Sequence, residues 1–189
     1  MTKPTFKSKQ LVLREVEPRD KPIRKVAGLD PDYTHMTSRE PDKVTEIWDD
    51  ASVDQWYDDI LADPTRWVIE YEGEAIGVVG YRRANIEDTW HGFGTTATCA
   101  VGIWPKRYRR LGLGAEALEL MFDYAFEDEK IHRLQMKVLE TNTAARAAYQ
   151  SLGFVEEGVE RESAMIGGKW VNYVRGGLLE QDRRKRNNA

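Results

Sequence analysis

The chain has 189 residues, of which 41% are apolar and 10% aromatic, and its formal net charge is −4. A chain of this length suits one domain with a sizeable core, so residues 1–189 are predicted to form a single domain. The small net charge gives no reason to predict a nucleic-acid or membrane partner, and a single cysteine excludes an internal disulfide.

Neither a metal site nor a targeting segment is predicted. The three histidines, at positions 35, 91 and 132, lack the spacing of a metal motif. The start, MTKPTFKSKQ, contains no apolar signal segment, and no stretch approaches the ~18 apolar residues of a membrane span. A cytoplasmic protein is therefore predicted, with residues 8–180 as its ordered core. Residues 181–189, QDRRKRNNA, are predicted to be a frayed basic tail in solvent.

The first half of the chain predicts a strand, two helices and a hairpin. LVLREV alternates apolar and polar side chains, as a strand does. The second helical stretch has one apolar face, made of Val53, Trp56, Tyr57, Ile60 and Leu61. Two β-rich runs on either side of Glu72–Glu74 predict a hairpin. After the polar loop ANIEDTWHGFG, the apolar run TTATCAVGIW predicts a well-buried strand.

The second half alternates helices and strands. A helix is predicted from Ala115 to about Glu127, and RLQMKVLE predicts the next strand. The following helix has Asn142 or Thr143 as its cap and Gly153 as its end, and two more strands follow. This order predicts an α/β (α+β) fold, in which a mixed sheet has parallel pairing at its centre.

Residues 104–115, WPKRYRRLGLGA, place four basic side chains before two glycines at a predicted strand-to-helix junction. A helix N-terminus offers unpaired N–H groups and a positive dipole end to an anion. Gly112 and Gly114 leave the backbone open to phosphate oxygens. The basic residues that can add charge-assisted bonds are Lys106, Arg107, Arg109 and Arg110. The loop therefore predicts a phosphate-ester ligand.

Other ligand classes fit this loop less well. A Walker A loop needs Gly-Lys-Ser/Thr, whereas Ala115 and Glu116 follow Gly114 here. GLGAEA matches the GxGxxA dinucleotide pattern, but seven residues, PKRYRRL, separate Trp104 from Gly112, whereas a Rossmann turn follows its strand directly. Taken alone, the loop is also compatible with an ordinary basic loop before a helix that starts at glycine.

Two motifs together resemble the GNAT superfamily of acyl-CoA-dependent N-acetyltransferases. The family's pyrophosphate loop, Arg/Gln-x-x-Gly-x-Gly/Ala, is matched by Arg109, Gly112 and Gly114. About 30 residues further on, the family's pattern Asn…Ala…Tyr…Gly-Phe is matched by Asn142, Ala145, Tyr149, Gly153 and Phe154. The ending IGGKWVNYVRGGLLE is similar to the final hairpin of the branch that contains the ribosomal-protein alanine N-acetyltransferases.

The resemblance implies a GNAT fold of about six to seven strands and about four helices, with a splayed central parallel pair, and acetyl-CoA as cosubstrate. The implied cofactor-binding residues are Val101, Gly102, Ile103, Arg109, Arg110, Leu111, Gly112, Leu113, Gly114, Ala115, Asn142, Ala145 and Tyr149. A backbone N–H near Val101 or Gly102 is expected to polarise the thioester carbonyl. Tyr149 is the implied general acid for the departing thiolate, and the alternative is a tyrosine packed between helix and sheet.

The general base is less well defined. Many family members carry a glutamate early on the strand before the loop, but FGTTATCAVGIW contains no carboxylate. The candidates nearby are His91, Glu87, Asp88 and Glu140, and for His91 an exposed loop histidine is the alternative. Cys99 fits a buried core residue better than an acetyl acceptor of a ping-pong scheme.

The missing carboxylate favours an acceptor amine of low pKa. An amine of pKa ~10.4 costs about 4 kcal/mol to deprotonate at pH ~7.4, whereas an α-amine of pKa ~7.8 costs well under 1 kcal/mol. The predicted acceptor is therefore a protein N-terminus, an amino acid or a small amine such as an aminoglycoside. An acidic segment from Asp42 to Asp63 is either a cation-attracting rim or the solvated face of a helix.

Two other function classes and one assembly remain open. A CoA-binding sensor or partner subunit of the same fold, without catalysis, is the alternative to the enzyme. A nucleic-acid-binding protein that uses PKRYRR and RRKR does not account for Asn142 and Tyr149. A homodimer is possible.

Overall fold

The computed structural model describes residues 3–27, 29–30, 48–84 and 95–187, in which eight strands form one sheet. The strands are β1 (Phe6–Lys7), β2 (Leu11–Arg14), β3 (Arg66–Tyr71), β4 (Glu74–Arg83), β5 (Thr96–Ile103), β6 (Arg133–Leu139), β7 (Val155–Ile166) and β8 (Lys169–Leu179). Their order is β1-β2-β3-β4-β5-β6-β8-β7, and only β5 and β6 pair in parallel. The mixed sheet with its central parallel pair is confirmed, with more strands than the predicted six to seven.

Five α-helices lie in the described ranges, against about four predicted. They are α1 (Lys21–Ala27), α2 (Asp50–Ala62), α3 (Leu113–Asp123), α4 (Thr143–Ser151) and α5 (Glu180–Asn187). Short 3-10 turns cover Pro18–Asp20 and Lys106–Tyr108, and a π turn, Tyr124–Asp128, continues α3. No helix of these ranges is long and apolar enough to cross a membrane.

The two faces of the sheet are covered differently. On one face, Trp67, Cys99 and Met136 share a core cluster with Leu118 of α3 and residues of α4. On the other face, a smaller cluster packs α2 side chains such as Trp56 against the strands of the first half of the sheet. Each helix layer follows from an apolar stripe that must be buried.

The prediction of a well-buried β5 is wrong for one face of this strand. Ala97 and Cys99 are buried, whereas Thr98 and Ala100, which point the opposite way, are exposed. An unbroken apolar and β-branched run is typical of strands covered on both faces, but among the described residues only the side of β5 that faces α3 is covered. We call the uncovered side of β5 and β6, with Thr98, Ala100 and Lys137, the open face.

Helix α2 follows the predicted pattern with one exception. Asp49 caps it, since its carboxylate accepts a hydrogen bond from the Ser52 N–H at 2.8 Å. Val53, Trp56 and Ile60 are buried, but Leu61 is 43% exposed, because it lies at the margin of the apolar stripe in the last turn.

The ordered part of the chain extends beyond residues 8–180 at both ends. Lys3 is buried, and its Nζ donates to the carbonyls of Ile60 at 2.9 Å and Arg66 at 2.7 Å. At the other end, α5 replaces the predicted frayed tail. Arg183 of α5 is buried and donates to Glu119 and Asp123 of α3. The tail prediction is wrong because these carboxylates come from a distant part of the chain.

We expect Arg183→Gln to lower the free energy of unfolding by about 1–2 kcal/mol. The Arg183 side chain is only 6% exposed, and it pairs with Glu119 at 2.8 Å and Asp123 at 2.5 Å. An ion pair with one buried partner contributes more to stability than an exposed pair and less than the several kcal/mol lost when a fully buried pair is broken. Urea denaturation measures the effect. Arg184→Gln is the control: Arg184 is 75% exposed, and an equal loss there would contradict the docking of α5 through Arg183.

Candidate active site

The two central strands separate and leave a V-shaped gap, which we call the fork. β5 pairs with β6 only from Thr96 with Arg133 to Thr98 with Gln135. On its other side β5 stays paired with β4 as far as Ile103. From residue 99 onward, the β6-facing backbone groups of β5 therefore have no strand partner in the described part of the chain. Backbone N–H and C=O groups need partners, so the fork suits a ligand with amides of its own.

Backbone alternation shows which residues face the fork. The Thr95 carbonyl accepts from the His132 N–H before β6, whereas the Thr96 carbonyl accepts from Ala84 after β4. Since polar backbone groups alternate along a strand, odd-numbered residues of β5 face β6. Val101 thus directs its N–H and C=O into the fork. Gly102 directs its N–H and C=O toward β4. Val101 and Gly102 were the two candidates for the N–H that polarises the thioester carbonyl, and the alternation favours Val101.

The loop after β5 forms an anion-binding nest at the start of α3. Arg110 and Gly112 both have left-handed backbone conformations, with φ of 63° and 81°. Within the described residues, the amide N–H groups of positions 110–115 donate to no backbone carbonyl. Successive N–H groups in such a turn at a helix N-terminus create a positive concavity.

The two glycines of this loop have different roles. Gly112 precedes α3 with φ of 81°, a conformation that side chains with a Cβ rarely adopt. At Gly114, an added Cβ would lie 3.7 Å from side-chain carbons of Val101 and Ile103, an ordinary contact distance. The protein itself therefore leaves room for a larger residue at Gly114. An approaching ligand accounts for this glycine better than the packing does.

Two of the four basic side chains hold the loop in place. Arg109 donates to the carbonyls of Ile103 at 2.9 Å and Trp104 at 2.5 Å, and it pairs with Asp30 at 2.8 Å. Arg107 pairs with Glu74 of β4 at 2.8 Å. We predicted that all four basic side chains can add charge-assisted bonds to a phosphate; Arg107 and Arg109 have these protein partners in the folded chain, and their contact with a phosphate stays a prediction. The sequence did not indicate these partners, because the loop and the hairpin meet only in the folded chain.

Arg110 is the cation best suited to a ligand. Its side chain is exposed and forms no ion pair within the described ranges. Leu111 beside it is 60% exposed, whereas Leu113 is 2% exposed and anchors the first turn of α3. Ala115 is partly buried against the core. Of the loop residues predicted to bind cofactor, Arg110 and the amides of 110–115 remain available.

Tyr149 of α4 lies at the base of the fork. It is 5% exposed, and its hydroxyl donates to the Cys99 carbonyl at 3.5 Å, the limit of a hydrogen bond. Its ring stacks edge-on with Phe154, at 5.0 Å between centroids. Burial raises the pKa of the Tyr149 phenol well above its ordinary value, so the hydroxyl keeps its proton and is a donor at neutral pH. Tyr149 is packed between helix and sheet, as one of the two predicted alternatives has it, and the general-acid role stays a prediction.

Cys99 is a core residue at the same place. Its Sγ donates weakly to the Gln135 carbonyl at 3.4 Å, and it is 3% exposed. Burial raises the pKa of the thiol to about 12. A neutral, enclosed thiol is a poor nucleophile, which agrees with the core interpretation and not with a ping-pong acceptor.

Asn142 caps α4 as one of the two predicted alternatives. Its side-chain oxygen accepts from the Ala145 N–H at 3.1 Å, and Gly153 follows the helix with φ of 93°. Ala145 packs against the main core cluster. The cap orients α4, and thereby Tyr149, toward the fork.

The candidate bases are not joined to Tyr149. Glu140 lies just past β6, is exposed, and accepts from the Asn172 amide of β8 at 2.8 Å. Within the described ranges no hydrogen bond connects it to Tyr149. His91, Glu87 and Asp88 lie outside the described residues. The open-face lysine, Lys137, was not singled out in the sequence, although its polar position in RLQMKVLE marks it as outward-facing.

A family model described as "Acetyltransferase (GNAT) domain" matches residues 10–155 of this chain. It covers the fork, the nest and Tyr149. The chain belongs to the GNAT acetyltransferase family. The predicted family is thereby confirmed, and acyl-CoA-dependent N-acetyl transfer is the activity class of that family.

Relatives and solved structures agree with GNAT membership. "Probable N-acetyltransferase YjcK" of Bacillus subtilis is 30% identical over 90 residues, which are 47% of this chain and 50% of YjcK. The alignment thus spans half of that relative. "Uncharacterized N-acetyltransferase p20" of Bacillus licheniformis is 23% identical, with 94% of this chain and 97% of p20 aligned.

Three solved structures show the same fold at lower identity. A GNAT acetyltransferase from Bacillus anthracis has a TM-score of 0.78 at 17% identity, covering 94% of this chain and 99% of the other. The spermidine N-acetyltransferase of Vibrio cholerae, in complex with CoA and spermine, has a TM-score of 0.75 at 22% identity, covering 94% of this chain and 99% of the other. A ribosomal-protein-alanine N-acetyltransferase from Brucella melitensis has 0.69 at 21% identity, covering 88% and 98%.

Proposed function

We propose that this chain transfers an acetyl group from acetyl-CoA to a primary amine by direct attack within a ternary complex. The observation that carries the proposal is the fork beside the nest. The amides of 110–115 and the Arg110 guanidinium would hold the diphosphate of CoA. The pantetheine arm attached to it would then run along the unpaired edge of β5. That arm would pair with Val101 and end beside Tyr149.

The described residues fit such a cosubstrate. Unpaired amides, an exposed cation and a glycine with spare room at Gly114 supply what a diphosphate needs. In the transfer, the amine nitrogen bonds to the acetyl carbon as the bond from that carbon to sulfur breaks. The Val101 N–H stabilises charge on the carbonyl oxygen. The amine releases a proton to solvent, and Tyr149 donates a hydrogen bond or a proton to the departing thiolate.

The acidic segment gives limited support for a cationic acceptor. Asp54 and Asp50 of α2 pair with Lys21 and Lys25 of α1, at 2.7 and 2.6 Å. The two lysines therefore neutralise these carboxylates within the helix layer. This favours the interpretation of this part of the segment as the solvated face of a helix. Asp42, at the start of the segment, lies outside the described residues.

Relatives of this chain support an amine acceptor of more than one kind. The Vibrio cholerae neighbour acts on spermidine, and the Brucella melitensis neighbour on a ribosomal-protein alanine. With no carboxylate on β5, we propose the α-amine class, a protein or peptide N-terminus, because its low pKa lowers the cost of deprotonation. This agrees with the proposed ribosomal-protein alanine branch.

Calorimetry with CoA and acetyl-CoA, followed by a thiol-dye assay of CoA release with a panel of amines, tests the proposal. The buried Cys99 has a pKa raised to about 12, so in the folded protein the dye reports the CoA thiol and not the enzyme. We expect binding of both compounds and release that depends on an amine. A folded protein that gives no heat with either compound would sink the proposal.

A non-catalytic CoA-binding subunit is the second candidate function. The observation that favours it is that no carboxylate of the described residues hydrogen-bonds to Tyr149 or stands on β5. Tight CoA binding without release of CoA on any amine would establish this alternative. Amine-dependent release excludes it.

A further inference from the structure

The open face of the fork carries positive charge where an acceptor amine must approach. The α3 side of the sheet is filled by the core, so the open face is the accessible side of the fork. Strand pairing places Lys137 on the same face as Gln135, two residues beyond the last β5–β6 pair. On β5, Ala100 lies two residues beyond Thr98 on that face. Lys137 therefore stands across the fork from the small side chain of Ala100.

Within the described residues, three cations, on β4, β6 and β8, lie on this face near the fork. Lys137 pairs with Glu160 of β7 at 2.7 Å, and Arg175 of β8, directly opposite Lys137, pairs with the same Glu160. Arg82 of β4, opposite Thr98, is exposed and forms no ion pair within the described ranges. Glu160 is thus shared by two cations, and a third cation stands on the other side of the fork.

Glu160 does not serve as a base for the acceptor. The hydrogen bond from Lys137 lowers the pKa of Glu160, and Arg175 also donates to it, so the carboxylate stays ionised and occupied. Lys137 in turn lies 4.5 Å above the ring of Tyr173. The ring and Glu160 fix the lysine in one position beside the fork, where its charge acts on anything that enters from this side.

We propose that the acceptor carries a carboxylate within about one residue of its reactive amine, and that Lys137, with Arg175, positions that carboxylate. This rests on the proposed amine acetylation and names its substrate class: peptide N-termini followed by an acidic residue. A positive face repels polyamines and other polycations. The same field disfavours the ammonium form of the acceptor, which assists an α-amine at a site without a carboxylate on β5.

Matched dipeptide amides test this inference through kcat and KM from CoA release. Ala-Asp, Ala-Asn and Ala-Lys amides share one α-amine and differ in the charge next to it. For the natural chain we expect kcat/KM to favour Ala-Asp over Ala-Asn on the order of tenfold, with Ala-Lys poorest, and the preference to shrink in high salt. In Lys137→Gln, KM for Ala-Asp should rise to that for Ala-Asn, so that the preference for Ala-Asp is lost.

The control keeps the charge change but moves it away from the site. Lys7→Gln, on exposed β1 at the far edge of the sheet, should leave the preference intact. Equal use of Ala-Asp and Ala-Asn by the natural chain, or an equal loss for both in Lys137→Gln, overturns the inference while amine acetylation stands. If CoA binds but no CoA is released with these three amides or with any amine of the wider panel, both the inference and the proposed amine acetylation are overturned.

Discussion

Tyr149→Phe is expected to lower kcat by about 100- to 1000-fold while the fold and the binding of acetyl-CoA are retained. Positioned proton donors contribute about 10²–10⁴ in rate, and this phenol is held at the base of the fork. Within the described residues, the hydroxyl makes a single hydrogen bond, a contact of 3.5 Å to the Cys99 carbonyl. Its loss should therefore change the free energy of unfolding by less than about 1 kcal/mol. Steady-state kinetics and urea denaturation measure the two effects.

Tyr81→Phe is the matched control. Tyr81 of β4 is paired in register with Cys99, is 3% exposed, and its hydroxyl has no partner within the described residues. Removing a buried hydroxyl without a partner should leave stability equal or raise it by about 1 kcal/mol. We expect kcat to be unchanged. If Tyr149→Phe turned over acetyl-CoA as fast as Tyr81→Phe, the proton-donor role of Tyr149 would be removed.

Gly114→Val is expected to weaken CoA binding about 10- to 100-fold, whereas Gly114→Ala should bind CoA about as well as the natural chain, because the family's loop accepts Gly or Ala at this position. The added methyl would meet Val101 and Ile103 at 3.7 Å, so the fold tolerates it. Alanine in place of glycine in α3 should stabilise the helix by about 0.5–1 kcal/mol. The larger side chain of valine keeps a phosphate oxygen from the amides of the nest, as a side chain does at the corresponding glycine of other diphosphate-binding loops. Calorimetric titration with CoA, alongside urea denaturation, separates the two effects.

Two further glycine variants define the interpretation of this result. Gly158→Ala, on β7, adds a methyl where nothing lies within 4 Å and should change neither stability nor CoA affinity. Gly112→Ala should lose roughly 1 kcal/mol of stability, since its φ of 81° is costly for alanine. Unchanged CoA affinity in Gly114→Val would show that the diphosphate does not lie against this turn.

Local sequence patterns predicted most of the elements that build the site. The cap at Asn142, the stop at Gly153 and the glycine loop before α3 depend on residues within one or two helical turns of each other. The hairpin at Glu72 and Gly73 depends on a turn whose residues have positive φ. Short-range preferences of this kind can be predicted from a single sequence. For the same reason the second of the two family motifs was recognisable before any contact was known.

The roles of individual charged side chains could not be predicted from local sequence patterns. Arg109 and Arg107 resemble phosphate ligands in the sequence, but in the folded chain their partners are Asp30 and Glu74. Arg183 resembles part of a solvated tail, yet Glu119 and Asp123 lie 64 and 60 residues earlier in the chain. A guanidinium binds whichever carboxylate the fold brings within reach, and composition does not say which one that is.

The sequence by itself determined the order of the elements from β2 to β8, the glycine turn that starts α3 and the family, because each depends on neighbours along the chain. Only the tertiary structure decided where β5 leaves β6, that Val101 faces the gap, and that one side of β5 is uncovered. Those properties depend on how far two strands stay paired and on which face the helices cover. Both are set by packing between segments that are remote in sequence, and the apolar run of β5 is compatible with either arrangement.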